Sequence, residues 1–308
     1  MAIDQLHGLH AVALGSAVKL AGITNQSVNL GVAVIGAPNT NNPYVRYQGI
    51  RGVKASASFS TIQIGTFIDA CGLFGKDIGD LTGDTVTLYA EKFEAGGTRA
   101  SSGHNSYTMN AGMVVPLGIS ASGQQDATLN ATVVPIYDGS NAPVIKAESA
   151  TLLTGLTDAE YFALGPVTVG AKSLGAVKSV EINFGVNVIT EFEGSELYDR
   201  YVAIASITPS ITISGVDLNW LKSDVVPALG LAGTHANTSI YLRKRASGST
   251  FVADETEEHI KFTAYGFAVA NACMNATTNE RGECTITMPL AYDGANAPLV
   301  ADTTSAIT

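Results

Sequence analysis

The segment NLGVAVI (residues 29–35) returns as NFGVNVI (residues 183–189), a displacement of 154 residues, and this displacement persists along the chain. Tyr44, Tyr47 and Ile50 meet Tyr198, Tyr201 and Ile204, and upstream Leu20 and Ile23 meet Leu174 and Val177. At a displacement of 155, His104 and Thr108 meet His259 and Thr263, and YDGSNAP (137–143) meets YDGANAP (292–298). Chance similarity does not hold one displacement, within a residue or two, from the start of each half to its end. A chain of 308 residues has room for two ordinary cores. The repeat therefore predicts two copies of one domain, 1–150 and 151–308, joined head to tail. Their junction, 145–158, lacks a long Gly, Ser or Pro tether, which predicts a fixed relation between the copies.

Each copy reads as β structure. Val180, Ile182, Phe184, Val186 and Val188 alternate with Glu181, Asn183, Gly185 and Asn187, and Val28, Leu30, Val32 and Val34 do the same in the first copy. Such alternation marks a strand with one buried face. Further strand-like runs lie at 53–64, 85–93, 107–115 and 127–136, with partners at 204–213, 238–244, 260–270 and 284–292. Short strands between turn signals predict an all-β fold, a tandem pair of β-sandwich or barrel domains. One stretch per copy has helical spacing instead: Phe67, Cys71 and Phe74, and Val216, Trp220 and Leu221, the latter ended by Pro227. One short helix per domain is expected.

Charged residues make up only 14% of the chain, against roughly 25% in an average soluble domain. Gly, Ala, Ser, Thr and Asn cover the surface in their place, which suits surfaces buried again on self-association. The net charge of −10, with no Lys- or Arg-rich window, argues against sequence-specific DNA binding. An acidic wall would instead let a duplex pass without sticking. Cys71, Cys273 and Cys284 read as buried reduced thiols made in a cytosol. The early Asp4 and the late first basic residue, Lys19, argue against a secretory leader, and no apolar run is long enough to span a membrane.

Motifs for chemistry are scarce, and no catalytic, cofactor or metal site is expected. Gly118 and Ser120 begin a nucleophile elbow, but Ser122 stands where the second glycine belongs. GLFGK (72–76) has two residues between its glycines where a phosphate loop needs four, and Asp77 follows the lysine. Glu257, Glu258 and His259 suggest a metal, yet His104 has no acidic neighbours beside it. A structural role at a hairpin end is favoured for both histidines. The triplets Tyr137, Asp138, Gly139 and Tyr292, Asp293, Gly294 read as tight turns closing each copy. Trp220 reads as a core anchor. The long Gly- and Ser-rich connections 94–106 and 245–259 read as hairpin loops that reach a neighbour. Their candidate contact residues are Gly96, Gly97, Arg99, Ser101 and His104, and Arg245, Ser249, Phe251, Glu257 and His259.

With its repeated NLGVAVI and NFGVNVI strands, the Tyr-rich segments at Tyr44 and Tyr198, one helix per β domain and long hairpin loops, the chain resembles the tail tube proteins of long-tailed bacteriophages. The match is to those with two tube domains per chain. The resemblance implies a structural virion protein made in the host cytoplasm. Three copies would form a pseudo-sixfold ring, and rings would stack into a tube that conducts DNA. It further implies contact with the tape measure, tail terminator and distal tail proteins, and genomic DNA passing without sequence-specific binding. No membrane is involved. A phage capsid decoration protein, or another non-enzymatic virion surface protein, shares the same repeated β-rich features. A carbohydrate-binding module would need an aromatic platform, for which a single Trp leaves little material.

Overall fold

The structure, a computed structural model, describes all residues except 1–5, 40–41, 95, 124, 158–159, 171, 195, 218–236, 248–249, 267–270 and 276–281. The first half contributes β1 (Leu6–Leu14), β2 (Val18–Leu20), β3 (Ile23–Asn29), β4 (Val32–Asn39), β5 (Asn42–Val53), β6 (Ser56–Thr61), α1 (Ile64–Cys71), β7 (Lys76–Asp77), β8 (Val86–Phe93), β9 (His104–Met109), β10 (Gly112–Ser122), β11 (Thr128–Pro135) and β12 (Ile145–Ala150). The second contributes β13 (Phe162–Val169), β14 (Lys172–Ser173), β15 (Val177–Asn183), β16 (Val186–Phe192), β17 (Asp199–Ile207), β18 (Ser210–Gly215), β19 (Thr238–Ser247), β20 (Thr250–Phe251), β21 (His259–Ala264), β22 (Asn271–Asn275), β23 (Glu283–Pro289) and β24 (Leu299–Ser305). The fold is all-β.

A sheet ordered β12-β9-β8-β1-β2 belongs wholly to the first half, and one ordered β24-β21-β19-β13-β14, with β20 beside β19, wholly to the second. Taken in sequence order within each half, the two strand orders correspond element for element. Both sheets pack against one long sheet shared by the halves, β22-β23-β18-β15-β10-β11-β6-β3, with β7 also paired to β10. This sheet is two four-strand blocks of matching order, joined where β15 pairs antiparallel with β10. Registers match too. Val28 lies opposite Ala57 as Ile182 lies opposite Ile211, and each pairing has an irregularity at its start, after Ile23 and after Val177. The burial of β6 and β18 alternates identically, residue by residue, as apolar alternate positions require of a sheet with one covered face. Buried residues form one cluster that runs through the β10–β15 seam.

The repeated Asn-x-Gly motif is a corner. Alternation of apolar residues predicts one strand across 28–34 and another across 180–188, but each breaks at its glycine, Gly31 or Gly185, where φ is about +60°. Asn29 and Asn183 each accept the glycine N–H on their side-chain oxygen, at 2.9 and 2.8 Å. The glycine carbonyls then accept the N–H of Lys54 and Thr208 at 3.1 and 3.0 Å. A Cβ here would lie 1.7 or 2.0 Å from a backbone oxygen, so only glycine fits. Beyond each corner the chain leaves the shared sheet and enters a separate two-stranded hairpin, β4–β5 or β16–β17.

Helix α1 buries Ile64, Phe67, Ile68 and Cys71 on one stripe, with Phe67 edge-on to Phe59 at 6.0 Å. It ends at Gly72, whose φ is +70°, so Phe74 lies beyond it, contrary to the sequence expectation. Of the second helix expected from Val216, Trp220 and Leu221 to Pro227, Val216 lies in a bend just after β18, and Trp220, Leu221 and Pro227 fall outside the described residues. The junction strand of chain is tied along the first half: Gln63 donates to the carbonyl of Thr157 at 2.7 Å, and Thr66 donates its hydroxyl to Glu160 at 2.8 Å. His10 and Lys19 contact the carbonyls of Leu153 and Thr154. At the far end, Thr303 of β24 donates to Asp69 of α1.

Candidate assembly surface

Among the described residues the shared sheet ends in two edges, β3 on the first half and β22 on the second. They are the counterparts of β15 and β10, the strands that meet inside the chain. At the seam Ile119 pairs with Ile182 and Gly118 with Asn183, flanked by the bond from Phe184 N–H to the Leu117 carbonyl at 3.0 Å. Because antiparallel bonding alternates, Ile182 and Phe184 aim their N–H groups at β10. Their counterparts Val28 and Leu30 therefore aim theirs at the free edge.

Burial follows the same logic. Phe184 is 0% exposed beneath the seam, whereas Leu30 is 56% exposed. Ile119 is 3% exposed, whereas Met274, its counterpart through the matching β11 and β23 registers, is 55% exposed. Beside β3, His7, Leu9, Val28, Leu30, Tyr107 and Val144 line an open groove of about 680 Å³. Of the corresponding positions in the second half, Phe162, Ile182, Phe184, Phe262 and Leu299 are buried and Leu164 is half-buried. Just before β11, Ala127 donates its N–H to the Phe162 carbonyl at 2.7 Å. Neither edge segment, ITNQSVN or NACMN, carries the lysine or proline that commonly guards a solvent-facing edge.

The hairpin β16–β17 forms a second contact between the halves. Val53 N–H donates to the Leu197 carbonyl at 2.9 Å, and Tyr137 N–H to the Asp199 carbonyl at 2.8 Å. The rings of Tyr137 and Tyr198 stack at 5.8 Å. Lys54 pairs with the buried carboxylate of Asp199 at 3.6 Å and sits over the Phe192 ring. Gly52 makes room for that ring, since a Cβ there would lie 3.1 Å from it.

In both YDG segments the aspartate caps its own turn. Asp138 accepts the N–H groups of Ser140 and Asn141 and the Asn141 side chain, and Asp293 accepts from Ala295 and Asn296 in the same way. Gly139 and Gly294 supply φ near +95°. Burial is the largest single influence on the Asp138 carboxyl and pushes it up, but the hydrogen bonds from Asn141, Ser140 and Asn110 together outweigh it and hold the carboxyl well below the ordinary range. For Asp293 the bonds from Asn296 and Ala295 act in the same direction.

The loop candidates divide. Gly96, Gly97 and Ser101 lie exposed at the tip of the β8–β9 connection, with open space around both glycines. Arg99 folds back into an ion pair with Glu91 at 2.6 Å. His104 and His259 are buried, and their Nδ1 atoms accept the N–H of Lys92 and Lys244 at 2.9 and 3.0 Å. They brace hairpin bases and are not part of an exposed contact. Arg245 pairs across the seam with Asp126 at 2.9 Å and lies under the Phe251 ring, which is partly exposed. Glu257 is exposed, and Ser249 falls outside the described residues. Among the described residues no three His, Cys, Asp or Glu converge as metal ligands, and no helix is long and apolar enough to cross a membrane.

Positions of the shared sheet that turn away from the core carry mostly hydroxyls and amides. Ser27 bonds Ser58 at 2.8 Å, Ser60 bonds Asn130 at 2.6 Å and Ser214 bonds Thr285 at 3.1 Å. Glu181 and Glu283 add carboxylates, the latter paired with Lys178. Sequence reading missed β3, Met274 and this face, because which strand lies at an edge depends on sheet order. The one available signal was that Met274 repeats Ile119. No family model and no curated protein matches the chain.

Proposed function

We propose that this protein is a ring-forming structural subunit, a tail tube protein of a long-tailed phage, whose two halves are copies of one domain. The observation that carries the reading is the seam. One chain already joins two four-strand blocks through β10 and β15, and among the described residues the two strands equivalent to them have no further neighbour. A second copy adding β22 to the open edge β3 repeats the internal pairing, so the contact is heterologous and propagates until a ring closes. Three chains supply six blocks. The counterpart registers place Met274 opposite Val28 of the next copy and bury the groove beside β3.

A closed ring turns the hydroxyl- and amide-rich face of the shared sheet toward one side. In this reading that side is the bore, and DNA passes because the described residues of the face offer no cluster of cations to hold phosphates. The wall is thus closer to neutral than the chain's net charge of −10 alone led us to expect. Electron microscopy of the purified protein tests the proposal. Rings of three chains or hollow stacks are the expected result, and a monomer that persists at high concentration would overturn it.

A further inference from the structure

The β16–β17 hairpin is held on the first half by a latch, and among the described residues nothing occupies the matching receptor on the second half. Gly52, Val53 and Lys54 receive the hairpin, together with the Tyr137 turn. At displacements of 154 and 155 their counterparts are Ser206, Ile207, Thr208 and Tyr292. Tyr137 is half-buried against Tyr198, whereas Tyr292 is 65% exposed, and Ile207 is exposed as well. The hairpin that matches β16–β17 is β4–β5, and the residue 154 positions before Tyr198 is Tyr44.

We propose that Tyr292 and Ile207 of one copy form the docking site for the β4–β5 hairpin of a second copy, with Tyr44 at the place that Tyr198 holds within the chain. The occupant is a second copy because the contact continues an interface the molecule already contains. This rests on the head-to-tail reading above and adds a contact separate from the strand edges. Its chemistry differs from the internal latch in one respect. Asp199 and Lys54 correspond to Val45 and Thr208, so the latch between copies has no ion pair at that place. Docking there is carried by ring stacking and apolar burial, which salt does not screen.

Within the chain, Val53 and Tyr198 form a parallel bridge. The counterpart pair is Ile207 and Tyr44, and bridged strands bring Cα atoms to about 5 Å, within disulfide range. Tyr44→Cys protein mixed with Ile207→Cys protein under mild oxidation is expected to give a two-chain band that neither variant gives alone. Tyr292→Ala should raise the concentration needed for assembly about tenfold, while Tyr292→Phe, which keeps the ring, should not. Microscopy of the same samples separates the failures. Rings without the cross-link, or assembly indifferent to Tyr292→Ala, would overturn the latch alone. A monomer throughout would overturn both the latch and the head-to-tail reading.

Discussion

Strands β15 and β3 hold the same place in matching blocks, with the same register and the same irregularity, yet one is sealed beneath β10 and the other borders an open groove. Their sequences have adapted to the difference. Ile182 and Phe184 pack into the continuous core, where Val28 and Leu30 stand at the rim. The lesson is that one strand place can be sealed or open depending only on its neighbour, and the proposed assembly would seal the open one in the same way. The internal seam supplies the geometry, and under the proposed assembly the edges β3 and β22 are where it would be repeated.

Placing a carboxylate at each of the two strands gives the largest expected contrast. Ile182→Asp puts an unpaired charge into the seam and should cost more than about 4 kcal/mol in urea unfolding. Val28→Asp should cost the monomer less than about 1 kcal/mol while abolishing assembly, read by light scattering. Equal effects would mean the edges are not equivalent. The two corners should respond alike. Gly31→Ala and Gly185→Ala each force a Cβ against a backbone oxygen at positive φ, and each should cost about 3 kcal/mol. A corner that tolerates alanine would break the correspondence there.

A smaller effect is expected at the turns. Asp138→Ala should cost about 1 kcal/mol, because the hydrogen bonds it removes are exposed to solvent. The Asp138 carboxyl is depressed in the folded state, so its contribution is full above the ordinary carboxylate pKa of about 4 and is lost as pH falls below it. The acid side of a stability–pH profile should therefore flatten in Asp138→Asn. Least visible is Cys71, whose thiol burial pushes up to about 12, against a minor opposing effect of Lys76. A maleimide applied at neutral pH should leave Cys71 unlabelled in the folded protein, as mapped by peptide mass, and rapid labelling would contradict its place in the core.

Much of the fold was legible because strands with one covered face write their burial into alternate residues, as in β6 and β18. The YDG turns were legible because Asp and Gly have few other reasons to recur at a chain reversal. The corners were not. Alternation continues through Gly31 and Gly185, and nothing in the pattern marks that the residues beyond belong to a different sheet. The end of α1 was misplaced because Phe74 keeps helical spacing after Gly72 has turned the chain away. His104 and His259 are buried and accept backbone N–H groups at hairpin bases, and that burial does not fit a place among the contact residues. The edges were invisible for a different reason. Val28 and Ile182 have the same local pattern, and only the order of strands tells which of them has a neighbour.

Val28→Pro separates folding from assembly most cleanly, since it removes an N–H that faces away from β6 and leaves the strand's internal pairing in place. Particle mass by light scattering, measured beside the wild type, is the decisive reading. The wild type should form rings of three chains and their stacks, and Val28→Pro a folded monomer. If Val28→Pro assembles as the wild type does, the addition of β22 to β3 is not how these molecules join.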